Sequence, residues 1–256
     1  MTTAIITMAG FGRRFLDAGY AVAKYRIVAH GRSLLSWSML SLAGFIEAGA
    51  DFVFIARAED DADGFIRQEA AALGIKSLSV IQLPAPTDGQ ATTALAAGEA
   101  IPSRAAPALI YNIDTFVHPS AMPPAAVRGD GWIPCFQAAG DAWSFVAVDA
   151  DGRATEVREK RRISPHATVG LYWFASFETY EDLYHRHYGS GGELEAGERY
   201  VAPLYNRMIE DGRPVFIHDV PLSAVIPLGV PADVERFKAG APPRLATNRG
   251  TDHEQA

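Results

Sequence analysis

Five residues near the start of the chain combine close backbone approach with positive charge. Gly10 and Gly12 follow the first apolar run, and Arg13, Arg14 and Lys24 come after them in the stretch ITMAGFGRRFLDAGYAVAKY. A dinucleotide-binding turn would set both glycines against a pyrophosphate, but it wants a third glycine where Phe15 stands and leaves the cations without a task. A Walker-type loop ends in Gly-Lys-Ser/Thr, whose hydroxyl binds the metal, and GRRF has no such hydroxyl. A loop whose N–H groups approach a nucleotide while Arg14 and Lys24 neutralise its triphosphate uses the glycines and the cations together. A glycine-rich strand-to-helix turn with solvated arginines has the same composition.

Further along, Asp114 stands just past the apolar run ALIYNI, at the carboxyl end of a predicted strand, where open α/β sheets bind ligands. One carboxylate there can hold a hydrated Mg²⁺ that takes its other ligands from substrate phosphates; the alternative is an Asp that caps the next segment. The loop PTDGQATTAL puts Gly89 and Gln90 at a strand-to-helix junction, where amides could read the edge of a base or simply begin a helix. Arg158, Lys160, Arg161 and Arg162 cluster in REKRRIS, a site for a small anion or a charged hairpin edge. His185 and His187 are two apart on a predicted helix, so their rings diverge and read as surface residues. The EDDAD run lacks the spacing of a calcium loop.

These residues need a frame to hold them. In the first half, AIITMA, DFVFIAR, LSVIQL and ALIYNID read as strands separated by helical spacing over Ser33–Ala48, Asp60–Leu73 and Ala91–Ala100, the pattern of βαβ units and a mainly parallel sheet. After Asp114 the pattern becomes mixed. WSFVAVDADGRATEVREK reads as a hairpin about Asp149–Gly152, and ATVGLYWFAS reads as one strand. Helices are expected over Phe177–His187 and Arg199–Asp211. Strands near Val215–Ile217 and Ala224–Ile226 follow, then a short helix from Pro231. From Ala239 onward no apolar periodicity remains, and a disordered tail is expected.

Bulk composition narrows the function classes. A net charge of −7 argues against nucleic acid as a partner, since phosphate backbones demand a basic footprint. Cys135 is the only cysteine, which excludes an intrachain disulfide or a thiolate metal cluster. No apolar run reaches the ~20 residues of a membrane span, and the first residues lack a basic n-region, so a cytoplasmic protein without membrane insertion is expected. The composition is compatible with a homo-oligomer and does not identify one.

Taken in order, MAGFGRRF with Lys24, DGQATTAL, NID and EKRRISPHATVGLYWF resemble the sugar-phosphate nucleotidylyltransferases, the pyrophosphorylase-type enzymes, over residues 4 to 237. The resemblance implies an α/β fold: a GT-A-like, Rossmann-like three-layer sandwich with a mixed, mainly parallel central sheet and an inserted acceptor-binding region. It implies one domain over residues 1–238, with a nucleotide half to about 115 and an acceptor half from 116. It further implies Arg14 and Lys24 on the triphosphate and Asp114 on Mg²⁺, these three being the catalytic residues. Ala9, Gly10, Gly12, Arg13, Gln82, Gly89 and Gln90 would surround the nucleotide, and Glu159 and Lys160 would hold the acceptor. The implied reaction joins a nucleoside triphosphate to a sugar 1-phosphate or similar sugar phosphate, releasing pyrophosphate and making an activated sugar for surface-polysaccharide synthesis. Two other readings remain: a cytidylyltransferase acting on a phosphorylated alcohol or amine, and a catalytically silent nucleotide-binding protein. Three positions depart from the family pattern. Arg13 replaces a small hydroxyl residue, Ala23 replaces a proline before the lysine, and Pro227 stands where a second metal-binding Asp is common. Asp219 or a substrate phosphate is the candidate substitute for that Asp.

Overall fold

The computed structural model describes residues 1–189, 194–195 and 197–245. The strands are β1 (Thr3–Thr7), β2 (Val28–Ala29), β3 (Arg32–Ser33), β4 (Asp51–Arg57), β5 (Leu78–Leu83), β6 (Ala108–Asn112), β7 (Thr115–Val117), β8 (Gly131–Gln137), β9 (Ser144–Val148), β10 (Ala154–Glu159), β11 (His166–Thr168), β12 (Leu171–Phe174), β13 (Val215–Asp219) and β14 (Val225–Pro227). The helices are α1 (Arg13–Asp17), α2 (Leu34–Leu40), α3 (Ala43–Glu47), α4 (Asp63–Ala72), α5 (Gln90–Leu95), α6 (Phe177–Tyr188), α7 (Tyr205–Glu210) and α8 (Pro231–Ala239).

One ten-stranded sheet runs in the order β10-β9-β11-β8-β12-β6-β1-β4-β5, with β13 also on β8. Strands β6, β1, β4 and β5 are parallel. Their apolar side chains alternate between two buried faces, as a sheet covered on both sides requires. Ala4 and Ile6 pack with Leu35, Met39 and Ile66 on one face. Ile5 packs with Ala91, Ala94, Phe177 and Tyr205 on the other. This is the expected three-layer α/β sandwich with a mixed central sheet. Beyond β6 the chain extends the same sheet with antiparallel β12, β11, β9 and β10, and with β13 parallel to β8.

Because β1, β5 and β6 are parallel, the Gly-rich loop, the PTDGQ loop and Asp114 all leave the sheet at its carboxyl edge. That edge is where doubly wound sheets present backbone groups to ligands. A small sheet of β7 and β14 covers part of it, pairing Thr115 with Pro227.

Several elements differ from expectation. The helix expected over Ser33–Ala48 breaks at Ser41–Leu42. There the Ser41 hydroxyl accepts the Val117 N–H at 2.9 Å, and the backbone tightens into bonds from Ser41 to Ser38 and from Leu42 to Met39. ATVGLYWFAS forms two strands, β11 and β12, separated at Gly170, which adopts φ +85° beside the Asn112 side chain. The helix expected over Arg199–Asp211 starts as a 3-10 turn at Ala202 and is α-helical only over Tyr205–Glu210, while the Arg199 N–H and C=O are bonded to Asp88 and Ala91 instead. Strand β8 has no counterpart in the sequence pattern. It is buried on both faces through Phe136, so it shows no alternation, and Gly131 and Pro134 interrupt it.

Of the expected tail, Leu245 packs against the apolar cluster that contains Phe15 and Phe237, while residues 246–256 lie outside the described residues. No helix among the described residues is long and apolar enough to cross a membrane.

Candidate functional site

The first part of the site is the turn from β1 into α1. Gly12 sits at φ +60°, a conformation costly for residues with a Cβ, and its carbonyl accepts the N–H groups of Phe15 and Leu16. Phe15, 2% exposed, anchors the short helix against Trp37 and Phe116. Neighbouring helical residues point about 100° apart, so Arg13 and Arg14 diverge. The Arg13 guanidinium lies 5.1 Å from the Phe11 ring, which Arg57 of β4 approaches at the same distance. Arg14 instead bears on Lys24 and Tyr200 through its charge. Ala9 is buried, and Gly10 borders open space.

Lys24 forms an ion pair with Asp114. The lysine side chain is 10% exposed and the carboxylate 43%, so one partner is sunk in the protein while the other is open to solvent. Desolvation lowers the Lys24 pKa below the usual lysine range. Asp114 opposes that shift, and the Arg14 charge reinforces it. Asp114 is fixed by its backbone: its carbonyl accepts the Leu228 N–H at 2.7 Å, and its N–H donates to Asn112 Oδ1 at 3.3 Å. A second carboxylate, Asp233 in the first turn of α8, also acts on Lys24 through its charge. Sequence reasoning missed Asp233, although a proline opening α8 followed by an acid in the first turn was legible. Asp219 cannot play this part: it lies at the end of β13, 3.7 Å from His166, with β8 and β12 between it and β6.

The third part is the loop into α5. Gln90 Nε2 donates to the Thr7 hydroxyl at 3.1 Å, tying this loop to the end of β1. Gly89 adopts φ +146°, and a Cβ there would collide with the Arg199 backbone. Arg199 clamps the loop through its N–H on the Asp88 carbonyl at 2.8 Å and its carbonyl on the Ala91 N–H at 2.9 Å. Gln82 is exposed near the end of β5, leading into the same loop. Gly89→Ala is therefore expected to lose about 1–3 kcal/mol in denaturant unfolding through strain and loss of the clamp. An unchanged unfolding midpoint would show that the Arg199 segment moves aside freely.

Strand β10 ends at Glu159, and Lys160 follows it. Glu159 is 7% exposed and accepts a hydrogen bond from Ser144, whose hydroxyl is also 3.2 Å from the Tyr172 hydroxyl. Burial raises its pKa, and the Ser144 bond and the Lys160 charge oppose the rise. Lys160, exposed and at φ +49°, donates from Nζ to the Tyr200 hydroxyl. The Arg14 charge acts on Tyr200, the partner of Lys160.

No protein-family model and no curated protein matches the chain. Among solved structures, the chain is similar to a nucleoside-diphosphate-sugar pyrophosphorylase from Vibrio cholerae RC9, at 35% identity and TM-score 0.84, over 92% of this chain and 99% of that one. It also shares the fold of the inositol-1-phosphate CTP transferase from T. maritima, at 17% identity and TM-score 0.70, over 94% and 98% of the two chains. The chain belongs to the family of nucleoside-diphosphate-sugar pyrophosphorylases, the sugar-phosphate nucleotidylyltransferases.

Proposed function

We propose that this protein transfers a nucleoside monophosphate from a nucleoside triphosphate to a sugar 1-phosphate or similar sugar phosphate. Pyrophosphate is released, and the activated sugar serves surface-polysaccharide synthesis. The reading is supported by the ion pair of Lys24 with Asp114, by the Arg14 charge acting on Lys24, and by 35% identity to a pyrophosphorylase over nearly the whole chain. Residues 1–238 act as one domain in this reading, its nucleotide half ending near 115.

The acceptor phosphate is already an anionic nucleophile, so the protein's work is alignment and charge neutralisation. An acceptor oxygen attacks the α-phosphorus, the bond from that phosphorus to the bridging oxygen breaks, and pyrophosphate departs with the electron pair. Gly10 and Gly12 let the backbone approach the nucleotide, with Ala9 and Arg13 beside it. Gln82, Gly89 and Gln90 border the base and ribose. Arg14 and Lys24 face the β- and γ-phosphates. Glu159 and Lys160 hold the acceptor.

A hard divalent cation suits Asp114, whose carboxylate is open to solvent and is held by a lysine that phosphates can draw away. The described residues contain no group of three metal-ligating side chains, which fits a Mg²⁺ bound by one carboxylate and completed by water and phosphate oxygens. When bound, it would neutralise charge developing on the departing pyrophosphate.

A pyrophosphate-release screen of four nucleotides against a panel of sugar phosphates and phosphorylated alcohols and amines tests the reading. Turnover confined to sugar phosphates supports it. Turnover confined to phosphorylated alcohols or amines replaces the acceptor, and nucleotide binding without turnover makes the chain a silent binder. With the best pair, Lys160→Ala is expected to raise the acceptor KM far more than the nucleotide KM, as a charge-assisted contact of roughly 1.5–3 kcal/mol is lost. Equal changes in both constants would remove Lys160 from the acceptor side.

A further inference from the structure

Tyr200 occupies a place that neither the nucleotide loops nor the Glu159–Lys160 pair accounts for. Its hydroxyl accepts the Lys160 ammonium, whose Nζ lies 4.5 Å from the centre of its ring. Burial and the neighbouring Glu198 carboxylate raise the Tyr200 pKa. The Tyr188 hydroxyl donates to the Tyr200 carbonyl at 2.7 Å, and Tyr188 belongs to the buried core of α6. The residue before it, Arg199, is the backbone clamp on Asp88 and Ala91, and its guanidinium donates to the Tyr184 hydroxyl at 2.7 Å. Thus one short segment is bonded at once to the loop at the start of α5 and to Lys160.

We propose that Tyr200 is a positioning residue that holds Lys160 ready for the acceptor phosphate. This rests on the transfer reaction proposed above. Lysine is a flexible point charge on a four-carbon stem, and an unheld ammonium spreads over many rotamers. A phenol that accepts one of its protons and offers its ring restricts that spread before the substrate enters. The hydroxyl is a weaker acceptor than a phosphate dianion, so an arriving phosphate takes the lysine without resistance. Burial and Glu198 keep the phenol protonated, so it stays neutral and does not compete as an anion.

The test compares Tyr200→Phe and Tyr200→Ala with the parent in two measurements. In steady-state kinetics, Tyr200→Ala should raise the acceptor KM roughly tenfold with a smaller change in kcat, and Tyr200→Phe, which keeps the ring, should fall between it and the parent. In the second, the rate at which Lys160 is modified by trinitrobenzenesulfonate is followed by peptide mass spectrometry. It should rise severalfold in Tyr200→Ala, with the other lysines unchanged. Parallel rises in acceptor and nucleotide KM, or unchanged Lys160 labelling, would overturn the positioning role. Labelling needs no turnover: an inert parent would count against the transfer reaction, whereas unchanged labelling in an active parent would count against Tyr200 alone.

Discussion

Replacing Asp114 with alanine is expected to lower turnover by about 10³ or more while the protein stays folded. Two features separate the catalytic effect from a structural one. The carboxylate is 43% exposed, so its removal opens no packed cavity, and the backbone bonds to Leu228 and Asn112 survive the substitution. Lys24 does lose its ion-pair partner, and a largely buried ammonium left with only the weaker influence of Asp233 is unfavourable. With one member of the pair facing solvent, the expected loss is about 1 kcal/mol of stability. Asp114→Asn keeps the shape and the bond to Lys24 but discards the charge, so it should be nearly as inactive as the alanine variant. Rates are measured at saturating Mg²⁺ beside thermal unfolding of all three proteins. Activity within tenfold of the parent in either variant would remove the metal from Asp114.

What the sequence disclosed about this site depended on how local each signal was. Strands β1, β4, β5 and β6 were legible because each is a short apolar run between helices of ordinary spacing. The placement of Asp114 and of both loops at one edge follows from that parallel order. The acceptor side was not legible in the same way. Strand β8 pairs with β11, β12 and β13, so it organises that half of the sheet, yet Gly131, Pro134 and burial on both faces hide it from any alternation. Tyr200 was hidden for a different reason. Apolar spacing past Arg199 favours helix, while long-range bonds engage the segment instead, from Arg199 to Asp88 and Ala91 and from Tyr188 to the Tyr200 carbonyl. Asp233 was assigned no part because its relation to Lys24 exists only once β14 has paired with β7 and carried α8 toward Lys24. Residues whose role depends on distant partners are the ones that a reading of local pattern passes over.

The two adjacent arginines should separate in kinetics although their charges are identical. Arg13 opens α1 with its guanidinium set against Phe11, while Arg14 bears on Lys24 and Tyr200. Charge develops on the departing pyrophosphate, so a cation facing it stabilises the transition state more than the bound nucleotide. Its loss appears mainly in kcat, by about 10² or more. A lysine at 14 keeps the charge but not the planar fork that can donate two parallel bonds to phosphate oxygens, and Arg14→Lys should remain clearly impaired. Arg13→Ser restores the small hydroxyl common in the family. It gives up one contact with an exposed aromatic ring that Arg57 continues to cover, so it should stay within roughly tenfold of the parent in kcat/KM. Both variants are measured with the best nucleotide and acceptor from the screen. If Arg13→Ser is crippled and Arg14→Lys is near normal, Arg13 swings off Phe11 when nucleotide binds, and the two arginines exchange roles.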